Sequence, residues 1–215
     1  NKKAKIDGKD ILKISEYVGY LNVVVFVPDD LSLVKGSPST RRKFIDLELS
    51  KISPIYAFYL AKYNRLLKER NQYLKLLSKK NGKYDDYLET IDEQMVDVQL
   101  KVIEKRENFI ERLSKNVKDI YKSIADNEEY VDLHYLCFIK KKDKEELLKL
   151  YKKEFSRDLK YLSTTHGIHK EDMKIMIDRK SAHQYASQGQ QRTIVLSIKI
   201  ALLELIKEEI GEYPI

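Results

Sequence analysis

The run Ser187-Gln188-Gly189-Gln190-Gln191-Arg192 has the residue types to hold a phosphate, and a helical pattern from Thr193 to Gly211 follows it at once. A serine hydroxyl and unobstructed backbone N–H groups at the positive end of a helix dipole suit an anion. The same residues also read as an ordinary helix cap, because Ser and Gly are common there. Other chemistries find less material. His166 and His169 are three apart, yet no second His or Cys pair joins them to complete a zinc site. The chain contains neither a Gly-x-Ser-x-Gly nucleophile elbow nor a G-x-x-x-x-G-K-[S/T] phosphate loop. Its single cysteine, Cys137, excludes an internal disulfide. It alternates with Val131, Leu133, Tyr135 and Ile139, which assigns it to packing.

The elements that must position this turn can be read from periodicity. Asp7-Gly8 favours a tight hairpin turn between Lys3 to Ile6 and Asp10 to Ile14, and Leu21 to Val27 reads as a short buried strand closed by Pro28. Ser37-Pro38 and Ser53-Pro54 each signal a helix start, the first helix running to about Lys51. From Ile55 to Leu77 apolar and aromatic residues recur at helical spacing, and Asn81-Gly82 supplies a stop. A near-heptad stripe follows through Leu88, Ile91, Met95, Val98, Val102, Phe109, Leu113, Val117, Ile120 and Ile124, with no Pro or Gly between Lys83 and Asn127. At 1.5 Å per residue these helices reach roughly 35 and 60 Å, and their short connection makes them antiparallel. The stripe reads locally as a helix packed in an ordinary bundle, since a/d positions alone do not separate a bundle seam from a free coiled coil. Glu129 to Ile139 alternates as a strand, Lys141 to Tyr161 is helical, and Met173 to Asp178 alternates again.

With 42% hydrophobic and 35% charged residues, the chain has the composition of a soluble, helix-rich protein with a real core. No apolar stretch approaches the roughly 20 residues of a membrane span. The net charge of +7 is unevenly placed: residues 1–51 carry 10 basic and 7 acidic side chains, residues 52–82 carry 7 and 1, and residues 83–215 carry 24 and 26. Such a confined basic zone is the footprint of a phosphate-backbone binder or, equally, a solvated helix face. Lys35, Arg41, Arg42 and Lys43 form the densest patch, able to contact DNA phosphates or to pair internally with Asp29, Asp30 or Asp46. Lys62, Arg65, Lys68, Arg70 and Lys75 would extend it as a track, while the interleaved Tyr63 and Tyr73 belong to the apolar stripe.

Three segments together carry a resemblance. The run from Tyr185 through Ser187-Gln188-Gly189-Gln190-Gln191-Arg192-Thr193 to Leu196-Ser197-Ile198-Lys199 and Gly211-Glu212-Tyr213-Pro214-Ile215 resembles the signature helix of the RecF family of DNA-repair ATPases, relatives of the SMC branch of ABC ATPases. Asn22-Val23-Val24-Val25-Phe26-Val27-Pro28-Asp29-Asp30-Leu31, with Val34-Lys35-Gly36-Ser37-Pro38-Ser39-Thr40-Arg41-Arg42-Lys43-Phe44-Ile45-Asp46, is similar to the family's strand, turn and Lys-Gly-Ser-Pro loop. Gly167-Ile168-His169-Lys170-Glu171-Asp172 resembles the family's Gly-Pro-His-Arg-Asp-Asp, with Lys170 in place of an arginine whose bidentate contacts it cannot make. The segments fall in the family's order; the middle of the chain matches only in helical character.

The resemblance implies an α+β, helix-dominated fold: a partial ABC-type ATPase head containing a sheet, with an inserted antiparallel helical lobe. Residues 1–36 and 163–215 would be head portions and 37–162 the lobe. It implies that Ser187, Gly189 and Gln190, with Gln191 next, face the γ-phosphate of ATP held by the phosphate loop of a second copy. His169 and Asp172 would belong to the head site, and Lys35, Arg41, Arg42 and Lys43 to the DNA contact. It implies a cytoplasmic protein that uses ATP and Mg, dimerises on ATP, and works at gapped DNA with RecO and RecR to load RecA recombinase. Because the phosphate loop is missing and the chain stops where a strand ending in the Walker B acid is expected, the chain reads as an internal piece, inactive alone and supplying half a site. The alternative is a helical protein-interaction module without nucleotide chemistry.

Overall fold

Charged residues interrupt the apolar stripes of the two long helices, and the fold is organised around those interruptions. The computed structural model describes residues 5–6, 9–10, 23–125 and 128–214. A two-residue hairpin pairs β1 (Lys5–Ile6) with β2 (Lys9–Asp10), so the Asp7-Gly8 turn of the sequence reading falls between them, outside the described residues. The helices are α1 (Ser32–Lys35), α2 (Pro38–Ile52), α3 (Pro54–Lys79), α4 (Asp86–Ala125), α5 (Lys144–Tyr161), α6 (Ala182–Tyr185) and α7 (Gln188–Ile210). Strands β3 (Val131–Leu136), β4 (Asp172–Ile177) and β5 (Lys180–Ser181) form an antiparallel sheet in that order. The result is helix-dominated with a small sheet, as the sequence predicts.

α3 starts at Ser53-Pro54, where the Ser53 hydroxyl caps Tyr56 N, and ends before Asn81, whose positive φ turns the chain into α4. The two helices pack along their length, and α5 lies across both, capped by Asp143 through Glu145 N. Toward its C-terminus α4 leaves α3 and packs on α7 and β3, so one helix is common to the hairpin and to the sheet. Here Ser114 Oγ accepts the Leu133 amide of β3 at 2.8 Å, and Arg112 pairs with Glu208 and Glu209 of α7. One buried core runs from Leu33 and Val34 through Tyr56, Tyr63, Met95, Val102, Val131 and Ile175 to Ile206. Residues 37–162 therefore contribute a strand and core residues to the layer formed with residues 163–215.

One expected element is absent from its described part. Val23–Val27 is not a strand, and Val25, Phe26 and Val27 are 55%, 49% and 41% exposed rather than buried. A strand needs a neighbour to take its backbone groups. Among the described residues the segment has no strand partner: Val25 O accepts from Lys199 Nζ at 3.0 Å, and Val27 bonds only to the turn that follows it, its N donating to Asp30 Oδ2 at 2.8 Å and its O accepting from Asp30 N at 3.0 Å.

Candidate phosphate-facing site

The helix that follows Ser187 begins earlier than its apolar pattern suggests, at Gln188, so Gly189 lies inside the first turn. Four backbone N–H groups open any α-helix without intrahelical acceptors. Two of the four are satisfied here by a reciprocal box: Gln190 N donates to Ser187 Oγ at 3.2 Å, and Ser187 N donates to Gln190 Oε1 at 2.7 Å. The remaining two, on Gln188 and Gly189, find no protein acceptor among the described residues, and both residues are exposed. A Cβ on Gly189 would meet only Ser187 Oγ, at 3.9 Å. The fold therefore does not require glycine there, and what the missing side chain provides is close access to bare backbone. The Ser187 hydroxyl accepts from Gln190 and keeps its own proton for an outside acceptor.

The neighbours hold this turn in place. Gln190 Nε2 donates to Glu129 Oε1 at 2.8 Å, and Glu129 Oε2 in turn accepts from the Tyr121 hydroxyl of α4 at 3.1 Å. Gln191 is buried and donates to Ala186 O at 2.6 Å. Gln190 and Gln191 thus orient the turn, whereas Ser187, Gln188 and Gly189 present free donors.

The two other motif segments meet each other, far apart in sequence. Arg41 forms a fork to Asp172, with Nε to Oδ1 at 2.7 Å and Nη2 to Oδ2 at 2.8 Å, while its Nη1 donates to Gly36 O at 2.8 Å. Arg42 Nη1 donates to Glu171 O at 2.6 Å. The partner of this basic patch is therefore Asp172, not Asp29, Asp30 or Asp46. Asp30 pairs with Lys199, and Asp46 with Arg106. Arg41, whose side chain is 11% exposed, makes one bond from each of its three nitrogens, so three of its five N–H groups are committed to holding Asp172 and the Gly36 loop. Lys35 and Lys43 are exposed and make no ion pair among the described residues.

His169 is fixed inside the fold. Its Nε2 lies 3.0 Å from Thr164 O and its Nδ1 2.8 Å from the Tyr63 hydroxyl. A carbonyl can only accept, so Nε2 carries the proton and Nδ1 accepts from Tyr63. Burial drives the ring down to about 4, which keeps it neutral. Gly167 precedes it at φ 137°, and a Cβ there would come within 2.4 Å of the Tyr63 oxygen.

Two buried arginines escape the sequence reading. Arg70, expected on the surface track, is fully buried; it binds Asp92 Oδ1 at 2.5 Å, Asp158 Oδ2 at 2.6 Å and Thr164 Oγ1 at 2.9 Å. Arg106 binds Asp46 Oδ1 at 2.7 Å, Ile168 O at 2.8 Å and Glu171 Oε2 at 3.3 Å. Tyr135 also donates to that Glu171 oxygen. Between them the arginines clamp both ends of the segment from Thr164 to Glu171. The signal was present: Arg70 continues the buried series Tyr63, Leu66, Leu74, Leu77, and Arg106 the series Val102, Ile103, Phe109, Ile110. A charge at a stripe position announces a buried partner.

No family model matches the chain. Over its whole length it is similar to the DNA replication and repair protein RecF of Staphylococcus carnosus (strain TM300), at 41% identity over 221 residues and covering 60% of that protein. It is likewise 41% identical to the protein of that name from Shouchella clausii (strain KSM-K16), covering 59% of it. Among solved structures it resembles the recombination mediator protein RecF-ATP in the RecFOR pathway, with a TM-score of 0.93, 36% identity, and coverage of 100% of this chain and 59% of that one. The RecF-ATPrS structure of the same pathway gives 0.91 and 35%, with the same coverage. The chain spans about three fifths of the length of the relatives it matches. Among the described residues no helix is long and apolar enough to cross a membrane, and no group of three or more His, Cys, Asp and Glu is arranged to hold a metal ion.

Proposed function

Because the chain belongs to the RecF family of DNA replication and repair proteins, we propose that its α7 turn grips the terminal phosphate of ATP held by a second copy, so that nucleotide binding and dimerisation are one event. The observation that carries this reading is the set of unclaimed donors at Ser187, Gln188 and Gly189, on a glycine the fold does not need. Those donors fit a phosphate: a hydroxyl and two N–H groups at a helix N-terminus offer charge-assisted bonds to an oxyanion. ATP bound with magnesium would supply the anion and the energy of hydrolysis. The chain's own residues orient and bind. Ser187 donates its hydroxyl proton, Gln190 and Glu129 hold the turn, and the Gly189 backbone admits the phosphate at close range.

On this reading the whole protein is an ABC-type ATPase of recombinational repair. It binds gapped DNA and works with RecO and RecR to load RecA. The test is association with a polypeptide that carries a phosphate loop, followed by light scattering. ATP should promote the association, and Ser187→Arg should abolish it by filling the turn with a long cation. Association indifferent to ATP and to that substitution overturns the reading in favour of a helical protein-interaction module.

A further inference from the structure

The Lys-Gly-Ser-Pro segment and the Gly167–Asp172 segment not only bond to each other but also wall a single cavity. It measures about 200 Å³ and lies between α2, α3, α4 and the 3-10 turn Ile168–Lys170. Arg42, Lys43, Asn64, Tyr63, Arg106 and His169 are among its walls. Asp46 is the single carboxylate lining it, and its Oδ1 already accepts from Arg106 and from the Tyr56 hydroxyl at 2.5 Å. Arg42 engages one nitrogen with Glu171 O, leaving Nε and Nη2 without a protein acceptor among the described residues. Lys43 and Asn64 are exposed, and neither side chain has a polar partner among the described residues. Two adjacent cations and an amide therefore line a space whose one acid is already paired with Arg106 in the same wall, an arrangement that favours an incoming anion.

We propose that this cavity seats one phosphate of a nucleic-acid backbone, held by Arg42 and Lys43 with the Asn64 amide as a neutral donor. The inference rests on the DNA-binding part of the function proposed above and locates it. A strand rather than a free phosphate is the fitting ligand because the basic surface continues past the cavity. Lys68 stands one helical turn beyond Asn64 on the same face of α3, and both it and the neighbouring Arg65 are exposed without an ion pair among the described residues. The 7 basic and 1 acidic residues of positions 52–82, one of the seven being the buried Arg70, exceed what a single anion would neutralise. Arg42, by bridging to Glu171 O, also ties the seat to the segment clamped by Arg106.

The experiment is fluorescence anisotropy of a labelled single-stranded oligonucleotide with the full chain, between about 50 and 200 mM salt, with inorganic pyrophosphate as competitor. Lys43→Gln should weaken binding and lower the salt slope by about 0.7, and Lys43→Gln with Lys68→Gln by about 1.4. Asn64→Asp, which places a carboxylate in the cavity at an exposed position, should weaken binding about tenfold or more with an unchanged melting temperature. If the chain binds the oligonucleotide and these variants keep its affinity and slope, the seat is wrong while DNA binding stands. If the unaltered chain does not bind at any salt, the DNA reading and the seat fall together. Pyrophosphate binding that depends on Lys43 without oligonucleotide binding overturns the nucleic-acid assignment as well.

Discussion

Glu171 and His169 lie two residues apart and carry opposite pH dependences. Burial pushes the Glu171 carboxyl from its ordinary 4.5 up to about 7, with Arg106 opposing part of the rise. Stability from a raised carboxyl is fully present below 4.5 and is lost as the pH climbs through 7. Burial drives His169 from 6.5 down to about 4, with the bond to Thr164 O opposing. Its contribution is fully present above 6.5 and is lost as the pH falls through 4. At about 1.4 kcal/mol for each tenfold change in a protonation equilibrium, moving from about pH 5 to about pH 8 costs about 2.5 kcal/mol at Glu171 and returns about 2 kcal/mol at His169. The pair nearly cancels, so separate variants are needed to expose each part. Glu171→Gln keeps the shape and removes one titration; its stability relative to the unaltered chain should rise by about 2.5 kcal/mol between those pH values. His169→Gln should fall by about 2 kcal/mol over the same interval. Urea unfolding followed by circular dichroism, at fixed ionic strength, measures both. A Glu171→Gln difference that is the same at both pH values would refute the reasoning, because it would mean that the carboxyl ionises in the fold as easily as in the unfolded chain.

Arg70→Leu leaves Asp92 and Asp158 buried without their counter-charge and should lower unfolding free energy by about 3–5 kcal/mol; a urea midpoint close to the unaltered one would show that water reaches the site. Gly167→Ala meets both a left-handed φ of 137° and the Tyr63 oxygen, and a loss of at least about 2 kcal/mol is expected in thermal melts. Arg179→Gly acts in the opposite sense. Arg179 sits at φ 63° in the β4–β5 turn, and because its bond to the Tyr130 hydroxyl is exposed, glycine should raise stability by about 1 kcal/mol in the same thermal melts; an unchanged or lower midpoint refutes this.

Much of the helical part was legible because its signals are local. The Asn81-Gly82 stop, the Ser53-Pro54 start and the stripe from Leu88 to Val117 each act within a turn or two, and the helices follow them closely. The signature turn was legible as a cap, but its first turn was not: Gln188 to Arg192 carry few apolar residues, so apolar periodicity alone starts the helix too late. Long-range pairing was illegible in principle. Nothing near Arg41 points to Asp172, and three nearer acids offered partners of equal charge. Val23–Val27 shows the converse, a β-branched run whose strand character depends on a neighbour that propensity cannot supply.

The fork between Arg41 and Asp172 joins residues 131 positions apart, whereas α3 and α4 are separated by a connection of six residues. Closing the long loop costs more chain entropy than closing the short one, so the helical hairpin can form first and the fork must wait for α4, β3 and α5 to be in place. The walls around Arg42 and His169 thus depend on contacts between residues far apart in sequence, and whatever separates α2 from β4 dismantles them while leaving the α3–α4 hairpin its own local contacts.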